Sequence, residues 1–92
     1  WCDDVRFPKK YNKLFKMEKK IKHEKLKRKD FKYDLLIPIK YNFDKPISGK
    51  GSCIFIHLTR NYKPTAGCVA LKEKDFLIML KLIKKKTKIK IL

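Results

Sequence analysis

"SCIFIHLTRNYKPTAGCVALKEKDFLIML", residues 52–80, changes its hydrophobic period twice, and each change marks an element boundary. In "SCIFIHL" (52–58) the side chains alternate: Cys53, Phe55 and His57 share one face, and Ile54, Ile56 and Leu58 the other. Both faces are largely apolar, as expected of a central strand covered on two sides. "TRNYKPTA" (59–66) is a connection, and "GCVAL" (67–71) reads as a short buried strand. From Lys72 the pattern turns helical. Phe76, Leu77, Leu80 and Ile83 form one stripe, with Lys74, Lys81 and Lys84 largely outside it. Glu73 and Asp75 sit in the first turn, where the positive end of the helix dipole favours them.

Upstream, "YDLLIPIKYN" (33–42) is an aliphatic run whose Pro38 points to an edge strand or a bulge. "FDKPISGKG" (43–51) is a loop. Residues 1–33 are polar and aromatic, and Leu14, Met17 and Ile21 follow helical spacing, so part of 13–29 is a second candidate helix. Downstream, a basic turn precedes "KIKIL" (88–92), which alternates like a closing strand. The fold class expected is mainly β with one or two helices, an α+β domain without internal repeats.

The chain has 92 residues, enough for one small domain with a modest core. Its formal net charge is +17, with arginine only at Arg6, Arg28 and Arg60. That balance attracts anionic polymers, nucleic acid or cell wall among them; it also fits a general bias toward lysine. Specific nucleic-acid binding is not expected, because the aromatic residues sit mostly in apolar runs rather than between basic ones. No apolar run approaches the roughly 18 residues that a membrane span needs. The start at Trp1 reads as internal to a longer protein, so the lack of a leader says nothing of location.

Three cysteines, Cys2, Cys53 and Cys68, form no paired spacing and leave at least one free thiol. Cys53 is expected in the core. Cys68 follows His57 by eleven residues, a loop length that lets neighbouring strands bring thiol and imidazole together. A cysteine nucleophile needs a base, oxyanion donors and exposure. His57 is the candidate base, and N–H groups around Gly67 and Cys68 are candidate oxyanion donors. Thr65 is a candidate turn-orienting residue. Arg60, with its planar fork, is a candidate for meeting a substrate carboxylate. Tyr62 either packs against substrate or caps the loop. Each has a plainer reading, since lone histidines and cysteines more often pack than react. Cys53, His57 and Cys68 lack the ligand spacing of a zinc site, so no metal and no cofactor are expected.

"GSCIFIH" and "PTAGCVAL" together resemble the active-site segment of the L,D-transpeptidase (YkuD-like) catalytic domain family. That family pairs a strand-ending histidine, here His57, with Ser/Thr-x-Gly-Cys, here Thr65, Ala66, Gly67 and Cys68. "WCDD", "YN" and "YDLLIPIKYN" extend the resemblance over nearly all of the chain. It implies a β-sandwich or barrel, with Cys68 as nucleophile and His57 as its base. It also implies peptidoglycan stem peptides as partners and a location in the periplasm or cell envelope. Members usually carry further strands before the tryptophan, so residues 1–92 are read as the C-terminal part of one catalytic domain. Many also carry His where this chain has Ala66, and Arg or Asn where it has Ala70, which leaves donor and acceptor open. The competing function is a basic binding module for an anionic polymer, without catalysis.

Overall fold

The computed structural model describes residues 1–91. Three short strands form one sheet: β1 (Leu36–Pro38), β2 (Phe55–Leu58) and β3 (Val69–Leu71), in the order β1-β2-β3. β1 runs antiparallel to β2, with Leu36 opposite His57 and Pro38 opposite Phe55. Pro38 has no N–H to donate, and it sits on an edge strand, where that loss is tolerated. β3 runs parallel to β2, with Ile56 opposite Val69 and His57 opposite Ala70. One helix follows, α1 (Glu73–Leu82). No helix among the described residues is long and apolar enough to cross a membrane.

The alternation along β2 separates two packed layers. Ile56 and Leu58 point to one side and meet Phe76 of α1, with Ile37, Val69, Leu71 and Met79 around them. Phe55 points to the other side, fully buried, under Trp1 and Tyr33, whose rings stand edge-on to it at 5.2 and 5.7 Å. The first residues thus form the second cover of the sheet.

That cover is held by polar clamps rather than by a helix. Asn12 is buried at φ +55°, accepts from the Trp1 indole and from Cys53 N, and donates to the carbonyls of Tyr41 and Asn42. Asn tolerates this left-handed backbone because its short side chain bonds locally. Asp4 is buried too. It accepts from Arg6 N, Nε and Nη2 and from Lys22 N, at 2.6 to 3.1 Å. The Arg6 guanidinium and these amide donors hold its carboxyl well below the usual carboxylate range.

Four expectations are corrected. The sheet does not close into a barrel or stack as a sandwich: β1 and β3 each pair on one side only among the described residues. Three strands of three or four residues cannot curl to closure, which takes on the order of eight. Residues 13–29 form turns and bends, not a helix; only Ile21 is buried, while Leu14 and Met17 face solvent. On α1 the inward positions are Phe76 and Met79, whereas Leu77 and Leu80 are exposed. Finally, residues 88–91 make no strand, and Leu92 lies outside the described residues.

Candidate active site

A groove of about 640 Å³ opens on the Phe55–His57 side of the sheet. Its walls are the 59–68 connection and the 30–33 turn, and both His57 and Cys68 line it. The pairing register explains why. Continued one step from Ile56–Val69, it sets Cys68 beside Phe55, on the face that carries His57. The two residues are thus diagonal neighbours on one face of the sheet.

Cys68 stands in for a peptide group. Its Sγ accepts from Phe55 N at 3.5 Å and donates to the Cys53 carbonyl at 3.2 Å. In an extended strand, the C=O of one residue and the N–H two residues on point to the same edge, so the thiol caps the end of the β2–β3 ladder. The sulfur is partly buried yet lines the groove.

His57 is buried, with 4% of its surface exposed. Its Nδ1 lies 2.9 Å from the Leu58 carbonyl. A carbonyl only accepts, so Nδ1 carries the proton, and Nε2 of the neutral ring keeps a lone pair. The Tyr33 ring packs edge-on at 5.8 Å and fixes the plane of the imidazole. The hydrogen bonds of His57 and Cys68 go to main-chain groups, and none joins the two side chains to each other.

The turn before Cys68 is tied by Thr65, whose hydroxyl donates to the Cys68 carbonyl at 2.5 Å and accepts from Gly67 N at 3.3 Å. Gly67 adopts φ +155°, a backbone that L side chains rarely take. Arg60 lines the groove with its guanidinium 4.2 Å from the centre of the Phe31 ring. Tyr62 is not among the lining residues. Its hydroxyl donates to Asp75 and accepts from Lys72 N at 3.1 Å, which fastens the connection to the start of α1.

Cys53, expected in the core, is half-buried and lines the same groove. Its φ of +57° ends the regular strand there and swings the residue out of the ladder. Burial pushes its thiol up to about 11, against an opposing hydrogen bond from the Ser52 hydroxyl. The sequence also gave no warning of Glu24, Asp30 and Tyr33, which complete the wall. They reach it through the bend that bonds Leu58 N to the Lys32 carbonyl at 3.0 Å, a contact with no local sequence signal.

Among the described residues no group of three His, Cys, Asp or Glu side chains is arranged to hold a metal ion. The profile of the L,D-transpeptidase catalytic domain family, YkuD, matches residues 5–91. The chain belongs to this family. No curated protein and no solved structure matches it significantly. The YkuD match takes in the whole sheet, α1 and the groove, so the family assignment and the groove concern the same domain.

Proposed function

We propose that this YkuD domain is a cysteine-dependent L,D-transpeptidase acting on peptidoglycan stem peptides in the cell envelope. The observation that carries the reading is the shared groove: within a family-matched chain, a thiol and an imidazole with a free Nε2 line one open cleft. Neither side chain is bonded to the other at rest, so reaction begins with a rotation of Cys68. The thiol exchanges the Cys53 carbonyl for His57 Nε2, which takes its proton.

Sγ then attacks the carbonyl that links the L-centre of a diamino acid to a terminal D-residue. The new S–C bond produces a tetrahedral oxyanion, held by the N–H of Cys68 and of Gly67. Gly67 N–H is engaged by Thr65 only at 3.3 Å, so its redirection costs one weak bond. Collapse breaks the C–N bond, and His57 gives its proton to the departing D-amino acid. The thioester left on Cys68 is resolved by an amine of a second stem, a free D-amino acid, or water, and the thiol is restored. Arg60, stacked on Phe31 at the groove wall, is assigned to a substrate carboxylate.

The test is turnover of a tetrapeptide stem by the protein and by Cys68→Ala. Loss of all product in the variant supports the assignment, and unchanged stem processing rejects it. A purely binding role for the same chain predicts that salt-sensitive attachment to anionic polymer is its only activity, and any Cys68-dependent turnover rejects that alternative.

A further inference from the structure

The groove that holds Cys68 and His57 contains a carboxylate whose charge is poorly spent. Two acids line it, Glu24 and Asp30. Asp30 is taken by Arg28 through a two-point pair at 2.9 and 2.6 Å. Glu24 is left with a longer Arg28 contact of 3.7 Å and a hydrogen bond of 2.8 Å from the Tyr33 hydroxyl. Both fall on Oε1, so neither uses Oε2. The side chain is about one-third exposed, open enough to meet a ligand and shielded enough to matter.

Tyr33 braces this carboxylate from a fixed position. Its ring is wedged edge-on against both Phe55 and His57. Its hydroxyl donates to Glu24, and burial and that neighbour hold the phenol above the ordinary tyrosine range. Glu24 is thereby joined through one side chain to the imidazole that faces the same groove.

A carboxylate so placed has a use that the rest of the protein makes necessary. An alkyl amine with a pKa near 10 arrives as an ammonium ion. The net charge of +17 repels it, and within a Debye length of roughly 8 Å a local negative group counters that repulsion. We propose that Glu24, braced by Tyr33, is an ammonium subsite of the groove that takes the side-chain amine of a diamino-acid residue. The inference rests on the stem-peptide reading above for the identity of that residue, and on geometry alone for the subsite.

The test uses the full chain carrying Cys68→Ala, so that nothing is turned over. Affinity is measured for a stem peptide with its side-chain amine free and for the same peptide acetylated there. Acetylation is expected to weaken binding roughly tenfold, the size of one partly exposed charged hydrogen bond. With Glu24→Gln added, the two peptides should bind within about twofold of each other, and Tyr33→Phe should fall between. An acetylation penalty that survives Glu24→Gln overturns the subsite. A second arm titrates 1,5-diaminopentane alone and follows the nuclear resonances of Glu24 and Tyr33. Shifts that vanish with Glu24→Gln support the subsite, and shifts indifferent to it, or none, overturn it. If the diamine binds through Glu24 while neither stem peptide binds, the peptidoglycan reading fails and the subsite stands.

Discussion

Two thiols share one groove, and their surroundings separate them. Cys53 is pushed up to about 11 by burial, so at pH 8 almost none of it is thiolate. Iodoacetamide should therefore label Cys68 first, with Cys53 catching up only as the pH approaches 11; peptide mapping of the labelled protein reads the order. Equal labelling at pH 8 would contradict the contrast between the two sites. Gly67 supplies a second test. Its φ of +155° leaves room for a Cβ, whose nearest atom, Ile54 Cδ1, would lie 3.5 Å away. The cost of Gly67→Ala is therefore backbone strain, about 1–3 kcal/mol. It should appear as a lower thermal midpoint, together with a loss of turnover larger than the stability change explains.

Among the elements, α1 carries the clearest energetic claim. Phe76 is its fully buried residue and fills the space under Ile56 and Leu58. Phe76→Ala should cost about 3–5 kcal/mol, much of the total for a domain this small. Leu82→Ala, at a position 75% exposed, should stay within about 0.5 kcal/mol. Denaturant unfolding of the two variants distinguishes them. Sequence periodicity found this helix and the two strands before it, because their apolar residues contact one another across short connections. Of the stripe it chose, Phe76, Leu77, Leu80 and Ile83, the helix buries Phe76 but turns Leu77 and Leu80 outward and brings Met79 in instead. With lysine or an aliphatic residue at almost every position, several stripes fit equally well. The same ambiguity produced a candidate helix in part of 13–29 and a strand at 88–92. In the first segment the shape is set by the Asp4 and Asn12 clamps, whose partners lie up to 41 residues away. His57, Thr65, Gly67 and Cys68 were legible because they form a local spaced motif. Glu24 and Tyr33 were not, since only the chain's return past Leu58 brings them to the groove.

At the level of the whole molecule, the N-terminal cover responds to pH and the surplus charge to salt. The Asp4 carboxyl titrates lower when folded than when unfolded. Its stabilising effect is therefore fully present above the ordinary value of about 3.9 and is lost as the pH falls below it. Asp4→Asn should lower the thermal midpoint at pH 7, and the gap to the native sequence should narrow as the pH drops below about 4. The charge acts through the surface. A second groove, between β1, α1 and the 84–91 segment, is lined by seven lysines and no acidic residue. Attachment to a polyanion should weaken steeply with salt and survive Cys68→Ala, so binding alone does not report on catalysis.

Chemistry at residue 68 does. Mass spectrometry of the protein mixed with a tetrapeptide stem should show the mass of the acylated chain, with the adduct mapped to Cys68 and its formation slowed by His57→Ala. An unmodified Cys68 while stem peptide is consumed, or an adduct that forms equally well in Cys68→Ala, would contradict the account.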